Sequence, residues 1–314
     1  MATCWFCYQA SGDKEYHEKC SKKFFGISVA PELELNDKLL KDLADKTINE
    51  RISITGVQPK LSVTLKKEAG NSRLTIVGLW GEYILKPQHQ HFAMMPQTED
   101  LTMHLASLFK IPICEHALIR ATDGSLAYLA KRFDRVKGKK VHMEDFCQLS
   151  EFLTESKYKG SYERIGKLIL KYCTNTGLDA LHYFELVLFS YLTGNNDMHL
   201  KNFAVLHQDD GIHLSPAFDL LNVNLVNPAD DEELALTLNG KKKKLNLTDF
   251  EILGKSLQIP QKAVGNIFKK FTFKNKQVEL LIDASFLDKE KRELYLKIWM
   301  EKQKVLFGSS IGKI

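Results

Sequence analysis

Residues 193–205 read TGNNDMHLKNFAV and follow the apolar run LHYFELVLFSYL, residues 181–192. Asp197 and Asn202 stand five residues apart. Protein-kinase catalytic loops use that spacing for a base that takes the substrate hydroxyl proton and a ligand for magnesium. The spacing has a physical basis, because both side chains must converge on one phosphoryl group from a tight loop. Seventeen residues beyond Asn202, the segment PAFDL puts Asp219 after a short predicted strand, where a second metal-holding carboxylate belongs. Polar residues that merely cap loop turns would give the same pattern, so this stretch alone leaves both readings open.

Working outward, EYILKP (residues 82–87) ends a predicted strand with Lys86. Pro96 then precedes a predicted helix, Gln97–Phe109, with Glu99 and Asp100 in its first turn. A kinase needs such a strand lysine for the nucleotide phosphates and a helix glutamate to orient it. Taken singly, a lysine ending a strand is more often a solvated edge residue. Upstream, SITGVQPK (residues 53–60) is a short loop able to cover phosphates with backbone N–H groups and Lys60. It matches neither a Walker A sequence nor the glycine-rich kinase loop.

The chain has 314 residues, which suggests two domains or lobes, with 44% hydrophobic and 26% charged residues, an ordinary globular balance. No apolar run approaches the roughly 18 residues of a membrane span, and the start MATCWFCYQA has no secretory pattern. A cytoplasmic protein with no membrane role is expected. A net charge of +5, from 44 basic against 39 acidic residues, is too mild to indicate a nucleic-acid binder. The longest basic run, Lys241 to Lys244, reads as a solvated turn.

Strand patterns cover LSVTLKK and SRLTIVGL around a Gly70-Asn71 turn, then EYILKP, EHALIRA and SLAYLAKRF, the last two joined by Asp123-Gly124. A polar helical stretch is expected around Leu35–Ala44. After Arg135, helical periodicity marks 161–173 and 179–193; short strands are expected at 203–206 and 212–214, and mainly helix from there to 307. The fold class is therefore α+β, with a β-rich N-terminal lobe, residues 1–134, and a mainly helical C-terminal lobe, residues 135–314.

Taken in order, SITGVQPKLSV, YILKP, KRFDR, HMEDFCQL, GNNDMHLKN and PAFDL resemble the HipA family of bacterial serine/threonine kinase toxins, from about Ser53 to about Val223. The resemblance implies a bilobal, protein-kinase-like, HipA-like fold that uses ATP and Mg2+. It implies Asp197 as catalytic base, Asn202 and Asp219 as magnesium ligands, and Lys86 on the phosphates. Lys131 and Phe133, flanking Arg132, would present hinge backbone groups to adenine, and Asp134 would hold the ribose. Gln148, His199, Lys201 and Phe218 would lie near the nucleotide, under a loop formed by Thr55, Gly56, Val57, Gln58, Pro59 and Lys60. The family's hinge often begins with Glu, where this chain has Lys131.

Little sequence precedes SITGVQPK compared with full-length relatives, and in this the chain is similar to the short HipT kinases of tripartite HipBST systems. That likeness implies HipS-like and HipB-like antitoxin partners, with DNA reached only through the HipB-like one. It also implies an aminoacyl-tRNA synthetase substrate, glutamyl- or tryptophanyl-, and autophosphorylation at Ser53 and Thr55. The competing expectations are a catalytically inactive kinase fold acting as an antitoxin-binding scaffold and a small-molecule kinase.

Residues 1–30 form a Cys/His-rich segment. Cys4, Cys7, His17 and Cys20 make two short chelating pairs suited to a Cys3His zinc site, or idle thiols in a hairpin. Cys114, Cys147 and Cys173 show no such pattern and read as core residues.

Overall fold

The computed structural model describes residues 2–34, 59–68, 71–77, 80–136 and 138–308. The expected helix at Leu35–Ala44, Gly70 of the hairpin turn, and loop residues Ser53, Thr55, Gly56, Val57 and Gln58 lie outside these. The chain divides into two compact units, Met1–Asp100 with Cys114–Arg132, and Leu101–Ile113 with Phe133–Ile314.

The first unit is built on a six-stranded sheet. Its strands are β3 (Glu32–Leu33), β4 (Leu61–Glu68), β5 (Asn71–Ile76), β6 (Tyr83–Lys86), β7 (His116–Arg120) and β8 (Leu126–Lys131), in the order β3-β5-β4-β6-β8-β7. All neighbours run antiparallel except β3 and β5. Alternation decides which face is buried: Leu61 and Val63 of β4 lie opposite Leu85 and Tyr83 of β6, and all four are buried. β6 is an interior strand, so both of its edges are paired and its last residue, Lys86, sits opposite Tyr128. Before the sheet come a two-stranded ribbon, β1 (Ala2–Thr3) with β2 (Ala10–Gly12), and helix α1 (Glu18–Phe25). Gly26, at φ 72°, ends α1 in the left-handed conformation that a glycine accepts freely.

Helix α2 runs Met95–Leu108, two residues earlier than the sequence reading places it. Pro96 lies inside its first turn, where a missing N–H breaks no helical bond. Glu99 and Asp100 consequently fall in the second turn rather than the first.

The second unit is mainly helical. Short strands β9 (Arg135–Val136) and β10 (Lys139–Lys140) pair as a hairpin, and β11 (His142–Asp145), β12 (Ala204–Gln208) and β13 (Gly211–Leu214) form a three-stranded antiparallel sheet. Helices are α3 (Phe146–Leu149), α4 (Tyr162–Tyr172), α5 (Thr176–Leu192), α6 (Val223–Val226), α7 (Leu247–Ser256), α8 (Gln261–Thr272), α9 (Asn275–Asp283) and α10 (Lys289–Phe307). The apolar run singled out in the sequence is α5, whose residues Leu186 to Leu192 are all buried. Around it, Phe109 stacks on Phe271 at 4.3 Å and on Trp299 at 5.6 Å.

Between β13 and α7 the expected helix is largely absent. Residues 227–246 are irregular and held by ion pairs: Lys241 to Asp249, Lys242 to Glu232, Lys243 to Asp231. Three of the four lysines in the basic run are thereby paired with acidic neighbours. Among the described residues no helix is long and apolar enough to cross a membrane.

Candidate active site

In the first unit, Lys86 Nζ lies 2.5 Å from Glu99 Oε1, with both residues at most 4% exposed. The ammonium also stands 5.5 Å from the ring centre of Tyr128, its cross-strand neighbour. A solvated edge lysine would show none of this. A charge pair out of water is costly unless matched, so the pair fixes the lysine's position instead of contributing cheap stability. Lys60 and Pro59 lead into β4, Lys60 exposed and Pro59 half-buried.

At the end of β8, the Lys131 N–H donates to Glu115 O at 2.8 Å and the Arg132 N–H to Glu82 O at 2.9 Å. The Lys131 side chain reaches Glu115 Oε2 at 3.1 Å on the surface.

In the second unit the loop after α5 is anchored at its start by Gly194, whose φ of 65° and close neighbours leave no room for a side chain: a Cβ would stand 2.7 Å from Asn224 Oδ1. The Gly194 carbonyl accepts from Val223 and Asn224 N–H. From there the loop folds on itself. Asp197 O accepts from His199 N–H and from Asn202 Nδ2, each at 2.8 Å. A single 3-10 turn, Leu200–Asn202, brings Asn202 back to Asp197, which is how a five-residue separation becomes one locus.

The Asp197 carboxylate accepts a 2.6 Å hydrogen bond from the Tyr158 hydroxyl. Burial first, and then that bond, push the Tyr158 hydroxyl well above the ordinary tyrosine range; the charges of Asp230 and Asp219 push the same way. Tyr158 thus remains a donor at neutral pH, among three carboxylates. Asp219 adopts φ 61°, rare for a residue other than glycine and often found where a site holds strain. Just before it, Ala217 N–H donates to Pro112 O.

The remaining predicted residues have definite roles. His199 packs its ring edge-on against Tyr158 at 4.9 Å and is buried. Lys201 Nζ binds Asp145 Oδ2 at 2.8 Å. Asp145 caps α3 through Gln148 N–H, and the Gln148 side chain returns the bond to Asp145 N–H, so Gln148 serves a capping box. Phe133 and Phe218 meet at 5.5 Å, and buried Asp134 pairs with Arg135 at 2.6 Å. Tyr158 was missed by sequence reading. It lies 39 residues before Asp197 in an irregular stretch with no motif to mark it. Asp145, inside the quoted HMEDFCQL, was also overlooked.

An α+β, protein-kinase-like fold carrying a buried strand-lysine and helix-glutamate pair, with an Asp-Asn loop behind an apolar helix, defines the class. The chain belongs to the HipA-like C-terminal domain family, whose model matches residues 52–277. It is 31% identical over 229 residues to the Sinorhizobium fredii protein named "Putative kinase Y4dM", covering 68% of this chain and 56% of that one. It is 26% identical over 211 residues to the serine/threonine-protein kinase toxin HipA of Shewanella oneidensis, covering 60% and 47%. The chain spans about half the length of the curated relatives it matches. Among solved structures, HipA of Shewanella oneidensis in complex with HipB and its operator DNA superposes with a TM-score of 0.69 at 21% identity, covering 84% of this chain and 67% of that one.

Proposed function

We propose that this chain is an ATP- and Mg2+-dependent serine/threonine protein kinase that acts as the toxin of a toxin–antitoxin pair. The observation that carries the reading is the buried Lys86–Glu99 pair, which in a kinase sets the lysine that holds the nucleotide phosphates. Asp197 takes the proton of the attacking hydroxyl, while Asn202 and Asp219 hold the metal that neutralises the transferred phosphoryl group. Tyr158 holds the Asp197 carboxylate in place. Carboxylate and amide oxygens at Asp219 and Asn202 suit a hard cation such as Mg2+.

By the family's logic the substrate is a protein hydroxyl, with an aminoacyl-tRNA synthetase, glutamyl- or tryptophanyl-, as the target class. Kinship with a HipA solved alongside HipB and operator DNA supports a HipB-like partner. The SITGVQPK loop supports a HipT-type kinase with a HipS-like partner and with Ser53 and Thr55 as autophosphorylation sites. Phosphate on either hydroxyl adds about −1.5 to −2 charge, and on this reading it opposes the nucleotide's own charge and lowers activity.

The test is phosphoproteomics of cells expressing the wild type beside Asp197→Gln. Phosphosites on a synthetase and in residues 53–60 should appear with the wild type alone. Identical phosphopeptides from both would overturn the proposal.

A further inference from the structure

Nothing in the proposed reaction uses the N-terminal segment, and the family match begins only at residue 52. In that segment Cys4, Cys7, His17 and Cys20 converge, with one ligand atom from each lying within 4.8 Å of all the others. We propose that these four side chains bind one Zn2+ ion in a closed Cys3His site that ties the turn after β1 to the start of α1. The inference stands independently of the phosphotransfer reading.

The distances fit a tetrahedral metal. A tetrahedral Zn2+ about 2.3 Å from sulfur and about 2.0–2.1 Å from nitrogen sets a sulfur-to-nitrogen separation of about 3.6 Å. His17 Nδ1 stands 3.4 Å from Cys7 Sγ and 3.7 Å from Cys20 Sγ, bracketing that value. The ring is already oriented for ligation. Its Nε2 lies 2.9 Å from Ala10 O, so with the proton on Nε2 the Nδ1 lone pair faces the sulfurs. Cys4 Sγ receives the His17 backbone N–H at 3.5 Å, which holds this sulfur beside the start of α1. Four protein ligands leave no open position, so the site is structural.

The local elements are short, and a metal would add to the packing of Trp5, Tyr8, Tyr16, Phe24 and Phe25, all buried. The ribbon strands have two and three residues and α1 has eight, all short of what persists alone. The turn Cys4–Tyr8 closes with Tyr8 N–H donating to Cys4 O, and Tyr8 is held at φ 60°, an uncomfortable value for an aromatic residue. That turn matters beyond itself. The Tyr8 hydroxyl donates to Asp100 Oδ2 at 2.7 Å, and Asp100 Oδ1 lies 2.7 Å from His116 Nδ1. Asp100 is the chain neighbour of Glu99, so the metal would steady the turn of α2 that carries the lysine's partner.

The experiment is metal analysis of the full chain purified under reducing conditions without chelator. One zinc per chain is expected. His17→Ala and Cys20→Ser should each lose it to a competing chelator at least about tenfold more readily, while Cys173→Ala, outside the cluster, retains it. Co2+ exchanged into the unaltered chain needs no folded variant. It should show the intense visible absorption of a tetrahedral site with thiolate charge transfer. A folded, reduced chain that retains no zinc and shows no such Co2+ spectrum overturns the proposal, as does zinc lost equally from Cys173→Ala.

Discussion

Lys86 Nζ and Glu99 Oε1 meet at 2.5 Å with both side chains buried, one at the end of an interior strand and the other in the second turn of α2. Both charges are buried, so removing one leaves the other buried without its ion-pair partner and is expected to cost about 3–5 kcal/mol. Glu99→Leu should show that loss in urea unfolding, and Lys86→Met/Glu99→Leu should recover most of it. On the kinase reading both variants lack phosphotransfer, so stability and activity separate.

Asp219 separates charge from backbone. At φ 61° asparagine is tolerated far better than alanine. Asp219→Asn should therefore melt with the wild type yet lose metal-dependent activity by orders of magnitude. Asp219→Ala should lose the same activity and about 1 kcal/mol of stability as well, read by thermal melts.

Tyr158→Phe removes the donor to Asp197. Without it the Asp197 carboxylate loses its anchor, so on the kinase reading phosphotransfer should fall about tenfold or more while the melting temperature stays close to the wild type. Unchanged activity would remove Tyr158 from the site.

Gly194→Ala forces a Cβ to 2.7 Å from Asn224 Oδ1 at a φ that alanine disfavours. A loss above about 1 kcal/mol is expected, lowering the melting temperature by roughly 2–4 °C or more. Activity should fall too, because Gly194 opens the loop that carries Asp197.

The periodic elements were legible in the sequence, and so was the Asp197–Asn202 spacing. α5 is marked by its apolar length, β4 and β5 by alternation, and β6 to β8 as strand-like runs between turn residues. The start of α2 differs from the pattern because Pro96, which resembles a flank, is accepted in a helix's first turn. Residues 227–246 looked continuous with the helices around them but are held by Lys241, Lys242 and Lys243 pairing with acids, and charge pairing across a loop has no period. Tyr158 was invisible for a related reason: its meaning comes from a contact 39 residues away. Asp145, which joins Gln148 and Lys201, likewise gains its meaning from contacts with no fixed spacing.

The most direct test of the account is transfer of the γ-phosphoryl group from labelled ATP by the purified chain, with Mg2+, beside Asp197→Asn of equal stability. Label is expected on protein serine or threonine with the wild type, abolished by EDTA and reduced by several orders of magnitude in the variant. Equal labelling by both proteins, or no transfer by a folded wild type given Mg2+, ATP and cell extract, would contradict it.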